Sequence, residues 1–183
     1  MKATITVLGI AAATLALPAA AQMNMSAFYV GAGVGQSKFK DACGGLPAGA
    51  SCDDKDTALR LFGGYQVNRN FAAEVGYHDL GEVKASAFGT TASAKANVWE
   101  LNGLGLFPVA NQFGVYGKLG LHHGELKDGS SESGNGWSWG AGLQWDIMPQ
   151  LALRGEFQRY LKVAGESDAK VDVLGLNAIW RFR

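Results

Sequence analysis

Residues 151–163, LALRGEFQRYLKV, divide into two chemically different faces when every second side chain is placed on the same side. The apolar face contains Leu151, Leu153, Phe157, Leu161 and Val163, and the other face contains Ala152, Arg154, Glu156, Gln158, Tyr160 and Lys162. Successive side chains of a β-strand point to opposite faces of the sheet, whereas a helix needs a period near 3.6 residues. The segment therefore predicts a strand with one apolar and one largely polar face.

The same alternation recurs along the chain and predicts eight strands. They lie near residues 28–37, 57–67, 71–79, 96–107, 113–123, 137–146, 151–163 and 170–182. Short connections lie at 68–70, 108–111 and 147–150, and longer polar connections lie at 39–56, 83–95, 124–136 and 164–169. An even number of strands with short turns at one end and long loops at the other is typical of bacterial outer-membrane proteins. The predicted fold class is all-β, an eight-stranded antiparallel up-and-down transmembrane β-barrel.

The composition favours a folded chain and excludes one class of partner. Of the 183 residues, 17% are charged, which is below the roughly 25% of ordinary soluble domains. The 16 basic residues are balanced by 16 acidic residues without a run of either sign, so no nucleic-acid partner is predicted. The 26 glycines are about twice the average usage and require a packing explanation.

The N-terminal segment has the pattern of a secretory signal. Lys2 precedes an apolar stretch from Ile5 to Leu17, and three alanines ending at Ala21 provide a cleavage site of small residues. A membrane anchor is less favoured, because the stretch is too short to cross about 30 Å of hydrocarbon as a helix. We predict a signal peptide at 1–21, cleaved after Ala21, followed by the barrel domain at 22–183.

The two cysteines of the chain lie close together in a polar segment. Cys43 and Cys52 would be exported with the rest of the chain, and cysteines in an exported chain are expected to pair. A metal or redox site is less favoured, since there is neither a Cys-x-x-Cys spacing nor a nearby histidine. We predict a disulfide that constrains the first long loop.

The position of the aromatic residues decides which face meets lipid. A soluble barrel or sandwich would turn its apolar face inward. Here the apolar face carries aliphatic residues at mid-strand and aromatic residues toward both strand ends, as in the interfacial girdles of membrane barrels. The predicted girdle residues are Tyr65, Phe71, Phe107, Phe113, Trp145, Trp180 and Phe182 near the short turns, and Tyr77, Trp99 and Trp137 nearer the loops.

The opposite face carries charges of both signs at mid-strand. The predicted interior charge network consists of Arg60, Glu74, Glu100, Lys118, Arg154, Glu156 and Arg181. An unpaired charge in a narrow, dry interior is costly, so pairing within a network is the favoured interpretation. The alternative is a narrow path for ions or small solutes between the pairs. Glycines on this face, such as Gly64 and Gly140, would leave room for the long side chains opposite them.

Several segments resemble the transmembrane domain of the outer membrane protein A family. They are residues 63–68 and 71–77 in the second hairpin, and residues 142–149, 153–157 and 174–182 in the last three strands. The resemblance covers nearly all of the chain after the signal. It implies an eight-stranded barrel in the outer membrane, inserted by the barrel-assembly machinery, which reads the last strand.

The resemblance also implies an interior ion pair at Glu74 and Arg154. The family's acidic position in the sixth strand is Gln144 here, and its lysine position in the fourth strand is Leu104. The charge cluster discussed as a gate in that family is therefore incomplete at the matching positions.

From these features we expect an integral outer-membrane barrel with a structural, surface-exposed role, for example in adhesion. The alternatives are a narrow pore and, less favoured, a lipid A-modifying enzyme. The enzyme candidates are His78, His122 and His123 with Ser130, Ser131 or Ser133. No catalytic, cofactor or metal site is predicted. Expected partners are outer-membrane lipid and lipopolysaccharide, while no motif identifies a ligand for the loops.

Overall fold

The computed structural model describes residues 28–40, 43, 51–87, 90–127, 131–163 and 170–182, so the predicted signal peptide and its cleavage site at Ala21 lie outside the described residues. The strands are β1 (Phe28–Lys40), β2 (Ser51–Asp53), β3 (Lys55–Gln66), β4 (Phe71–Ala87), β5 (Thr90–Pro108), β6 (Phe113–Lys127), β7 (Ser131–Asp146), β8 (Leu151–Leu161) and β9 (Lys170–Arg181). Within these ranges no helix is long and apolar enough to cross a bilayer.

Antiparallel pairing closes the sheet on itself. β1 pairs with β3 and β9, and the pairing of β4 with β5 joins the two ends of the strand order. The short β2 pairs with β4 beyond the end of β3, and only Asp54 separates it from β3. The two segments therefore form one barrel strand, and the predicted eight-stranded antiparallel barrel is confirmed.

The connections differ from the prediction at the loop end. β4 continues to Ala87 and β5 begins at Thr90, so most of the loop predicted at 83–95 is a paired hairpin. Likewise, β6 and β7 remain paired as far as Lys127 and Ser131, inside the loop predicted at 124–136. Small and polar residues at these positions resemble a loop in composition, but a neighbouring strand satisfies their backbone groups equally well.

The outer surface of the barrel is apolar between two aromatic zones. Of the ten predicted girdle residues, nine are 43 to 60% exposed and Tyr77 is half-buried. Phe113 and Trp145 stack at 5.9 Å near the short turns, and Tyr77 and Trp99 meet at 5.1 Å toward the loops. Phe28 extends the first zone, with its ring 4.9 Å from Tyr65. Exposed leucines and valines lie between the zones, which is the surface expected against lipid.

Inward-facing glycines lie directly across from large inward side chains. Gly64 is paired with Tyr29, and an added Cβ there would overlap the tyrosine ring. Gly140 is paired with Lys118, whose side chain passes over it. The glycine excess therefore makes room for aromatic rings as well as for charged chains in a barrel too narrow to hold a side chain at every position.

The disulfide predicted between Cys43 and Cys52 is present, with the two Cα atoms 5.9 Å apart. Cys52 belongs to β2 and lies opposite Ala85 of β4. The bond therefore fastens the β1–β2 connection to the rim of the barrel and crosses no part of the transmembrane sheet.

Replacing both cysteines by serine is expected to leave the barrel folded. A disulfide closing so short a loop stabilises by about 2 to 3 kcal/mol on the chain-entropy model, and here that effect acts on the loop. Cys43→Ser/Cys52→Ser protein should keep heat-modifiable gel mobility, while protease cuts the segment between the two positions faster than in the oxidised protein. Loss of the heat-modifiable form would contradict a purely local role.

Candidate functional site

Six charged side chains converge inside the barrel from five strands. Alternation along each strand turns them inward, and all are at most 5% exposed. The cations are Arg60, Lys118 and Arg154, and the carboxylates are Glu74, Glu100 and Glu156. We call these six residues the interior cluster. Three positive and three negative charges balance within it, as burial in a medium of low dielectric demands.

Arg60 lies at the centre of the interior cluster. Its Nε donates to Glu100 Oε1 at 2.8 Å, Nη1 donates to Glu156 Oε1 at 3.0 Å, and Nη2 donates to Glu74 Oε2 at 3.1 Å. The guanidinium also lies 4.4 Å from the centre of the Phe62 ring. One side chain of β3 thus connects carboxylates from β4, β5 and β8.

Glu74 and Arg154 form the second connection, on the side of the short turns. Arg154 Nη1 donates to Glu74 Oε1 at 2.5 Å, and the Tyr29 hydroxyl donates to the same oxygen at 2.9 Å. The other Arg154 nitrogen, Nη2, donates to Gln144 Oε1 at 3.0 Å. An amide oxygen therefore accepts from this arginine at the position where the resembling family has a carboxylate.

Lys118 completes the interior cluster from β6. Its Nζ donates to Glu156 Oε1 at 2.5 Å and to Gln158 Oε1 at 2.6 Å. Leu104, the position at which the family pattern has a lysine, lies directly across from Lys118 in the β5–β6 ladder. The lysine is thus supplied by the neighbouring strand at the same level of the barrel.

Arg181 was predicted in the network but lies apart from the interior cluster. Its Nη2 is 2.6 Å from Asp146 Oδ1, and Gln144 Nε2 donates to that same oxygen at 3.1 Å. The register places Arg181 opposite Tyr29, near the start of β1. Its side chain points inward like the others, but it leaves the strand near the short turns instead of at mid-barrel.

Three tyrosines and Gln158 were missed as members of the site. Tyr29, Tyr116 and Tyr160 donate to Glu74, Glu156 and Glu100 respectively, and Gln158 Nε2 also donates to Glu100 Oε2 at 2.8 Å. All four lie on the inward face, so strand alternation was the signal that could have identified them. Each cluster carboxylate thereby receives a tyrosine hydroxyl in addition to cations.

The three histidines named for the less favoured enzyme alternative point in different directions. His78 and His122 are both buried against the Tyr160 ring, and His78 Nδ1 lies 2.8 Å from the tyrosine hydroxyl. His123 faces outward and lies 2.9 Å from Asn135 Oδ1. In the described part of the chain, no hydrogen bond joins Ser131 or Ser133 to a histidine, and Ser130 lies outside it.

Apolar side chains cover the interior cluster toward both ends of the barrel. Toward the loops lie Phe39, Ala58, Leu80, Ala96, Val98, Tyr160, Val163, Val171 and Val173. Toward the short turns lie Tyr29, Phe62, Ala72, Leu104, Tyr116, Ala152 and Ile179. The apolar residues thus do not all face lipid, because an apolar cluster lies on each side of the interior cluster. At the short-turn end, the hydrogen bonds of Arg154 continue through Gln144 to Asp146.

Known proteins related to this chain are outer-membrane proteins. The family model described as "Outer membrane protein beta-barrel domain" matches residues 7–182. Outer membrane protein A of Escherichia fergusonii is 27% identical over 169 residues, and outer membrane protein P5 of Haemophilus influenzae is 30% identical over 178 residues. Both alignments cover 86% of this chain, but 48% and 50% of those proteins. The chain therefore spans about half the length of the curated relatives it matches.

Two solved bacterial surface proteins have the same fold. Neisserial surface protein A superposes with a TM-score of 0.62 at 18% identity, covering 85% of this chain and 97% of that one. Ail, the attachment invasion locus protein of Yersinia pestis, superposes at 0.57 with 21% identity, covering 86% and 100%. The predicted resemblance and location are confirmed. The chain belongs to the outer membrane protein beta-barrel domain family, and it is a barrel of the outer membrane with a structural or surface role there.

Proposed function

We propose that this chain is a closed barrel that anchors surface hairpins in the outer membrane and conducts no ions in its resting form. The observation that carries this proposal is the filled interior, in which a balanced charged cluster lies between two clusters of apolar side chains. An eight-stranded barrel is just wide enough for side chains to fill. A cavity lined in part by Arg60 and Glu156 has a volume of about 10 Å³, barely enough for one water molecule.

The surface role is supported by the hairpins at the loop end. The β4–β5 ladder continues from the pair Tyr77–Trp99, in the aromatic zone, to the pair Ala87–Thr90. The β6–β7 ladder extends to Lys127–Ser131 in the same direction. Paired strands that continue beyond the lipid-facing zone form a firm platform for contacts outside the cell. Adhesion or another surface interaction is the function that we assign to this platform.

Export and insertion complete the proposal. Removal of residues 1–21 would place the remaining chain in the periplasm, and the assembly machinery implied by the family would insert it through its last strand. We assign no enzymatic activity, because His78 and His122 are enclosed in the barrel against Tyr160. The outward-facing His123 lies beside Asn135, and among the described residues no hydrogen bond joins it to a serine.

Planar bilayers containing the refolded protein are expected to show no discrete conductance openings above baseline. The physical reason is that an ion would have to pass closely packed apolar side chains and enter a cluster whose charges are already paired. Glu74→Gln and Arg154→Gln proteins, refolded and measured in parallel, should also give no openings as long as the apolar clusters remain. Reproducible openings in the unmodified protein, with a conductance that shifts in either variant, would establish the pore instead.

A further inference from the structure

Among the residues that the structure describes, the excess positive charge at the outer edge of the barrel lies on one side. Outward-facing cations occur on four adjacent strands, β3, β1, β9 and β8, just beyond the exposed Val34 and Leu174. They are Lys38, Lys40, Lys55, Arg159 and Lys170, which we call the cationic band. Leu174 is 68% exposed in the apolar zone, and the next two outward positions along β9 are Asp172 and then Lys170.

Strand register arranges the cationic band in two rows. Lys55 lies across from Lys38, Lys38 across from Asp172, and Asp172 across from Arg159. One step farther out, Lys40 lies directly across from Lys170. Because neighbouring strands are about 4.8 Å apart, these charges are close enough for one multiply charged group to contact several of them.

The described carboxylates do not fully neutralise the cationic band. Asp172 accepts hydrogen bonds from Arg159 Nε and Nη2 at 2.5 and 2.7 Å, and it also forms an ion pair with Lys40 at 3.5 Å. Asp54 lies 3.9 Å from Lys38. Among the described residues, no carboxylate lies within ion-pair distance of Lys55 or Lys170, so five cations share two acids.

The opposite side of the barrel provides the contrast. Lys95 and Lys127 also lie directly across from each other at the outer edge, on β5 and β6. There, however, Lys95 has its own partner in Asp79 at 3.1 Å, and Lys127 has Glu125 at 3.4 Å. Within the described ranges, the excess positive charge is therefore found on one face of the barrel.

We propose that the cationic band binds the phosphate groups of a phosphorylated glycolipid in the outer leaflet. The band begins where the lipid-facing surface ends, which is the depth of the headgroups. Arg159 lies 5.7 Å from the Trp139 ring centre and 5.9 Å from that of Phe157, so its charge extends outward from an apolar base. Rings below and cations above match a ligand with acyl chains and an anionic head. This site does not depend on whether the lumen conducts.

The test compares two matched variants of the full chain refolded in detergent micelles. Lys40→Gln/Lys170→Gln removes two charges from the cationic band, and Lys95→Gln/Lys127→Gln removes two from an equivalent cross-strand pair on the other face. Native mass spectrometry counts the molecules of bisphosphorylated lipid A that each barrel retains. We expect the first variant to lose at least about tenfold in apparent affinity, and the second to stay within about twofold of the unmodified protein.

A third variant is expected to bind lipid A more tightly than the unmodified protein. Asp172→Asn removes the carboxylate that occupies Arg159 and Lys40, so lipid A should bind about threefold more tightly or better. Heat-modifiable gel mobility is measured for every variant, and only folded barrels are compared. If the cationic band served only to hold β8 and β9 together, Asp172→Asn would bind lipid A no more tightly than the unmodified protein.

Four outcomes would overturn the proposal. An equal loss of affinity in the two lysine-pair variants would mean that lipid A is held by general electrostatic attraction to the rim. If dephosphorylated lipid A were retained as well as the bisphosphorylated form, contacts with the acyl chains alone would explain the binding. Displacement of lipid A by inorganic pyrophosphate at comparable concentration would indicate a site for soluble phosphates. Unchanged binding in Lys40→Gln/Lys170→Gln would mean that the band does not contact the headgroup.

Discussion

Replacing Arg60 by methionine is expected to lower the free energy of unfolding by about 3 to 5 kcal/mol, because it leaves buried carboxylates without their shared cation. Arg60 donates to Glu74, Glu100 and Glu156. Glu74 keeps Arg154, and Glu156 keeps Lys118, but in the described structure Glu100 has an ion pair with Arg60 alone. Glu100 would retain only the neutral donors Tyr160 and Gln158.

A double variant separates the loss of charge balance from the loss of packing. Arg60→Met leaves the interior cluster with two cations and three carboxylates, whereas Arg60→Met/Glu100→Gln restores a balance of two and two. Since an uncompensated buried charge dominates the penalty, we expect the double variant to recover more than half of the lost stability. Arg181→Met is the matched control, because Arg181 pairs with a 40% exposed Asp146 and should contribute at most about 1 kcal/mol.

Unfolding by urea in phospholipid vesicles, followed by tryptophan fluorescence and heat-modifiable gel mobility, measures these differences. The order of stability should be unmodified, Arg181→Met, the double variant, and then Arg60→Met. If Arg60→Met were as stable as Arg181→Met, the interior cluster would hold no charge that needs compensation. If the double variant were less stable than Arg60→Met, contacts of the two side chains would outweigh their charge.

Strand alternation predicted which side chains enter the barrel, but it could not predict their depth. Arg181 and Arg154 both point inward, yet one meets Asp146 near the short turns and the other meets Glu74 at mid-barrel. Depth depends on how far each strand is shifted against its neighbour when the sheet closes. That shift is set by pairing between strands distant in sequence, such as β1 with β9, and leaves no local signal.

The same limit explains why the apolar inner clusters were not predicted. Val98 and Val171 lie on the polar face of their strands by alternation. In the sequence alone, each looks like an apolar exception on the face that carries the polar residues. Closure brings them together with Leu80 and Tyr160 in a single cluster above the charges. The hairpins beyond the membrane were missed for another reason, since their small and polar residues are compatible with either a loop or a solvated strand.

Gly120 and Gly117 provide a second test. They lie three positions apart on β6, where Gly120 faces the barrel interior and Gly117 faces outward. Gly120 points inward between Asn102 and Ser138, which are opposite it on the two neighbouring strands. A Cβ added there would lie 2.5 Å from the carbonyl oxygen of Leu101 and would also overlap the Asn102 side chain. A backbone oxygen within a paired strand cannot move aside without breaking the ladder.

Gly120→Val is therefore expected to destabilise the barrel by about 3 kcal/mol or more, and to reduce the yield of folded protein severely. Gly117→Val is the matched control: the nearest atom to its added Cβ is 4.0 Å away, and the side chain would point toward lipid. A β-branched residue at that position should be neutral or stabilise by about 0.5 to 1 kcal/mol. The fraction of heat-modifiable protein after refolding into vesicles, and the urea midpoint of that fraction, measure both effects. Equal folding of the two variants would show that the interior can expand to admit a side chain. It would then weaken the argument for a closed lumen as well, because an interior that yields to valine could also yield to a hydrated ion.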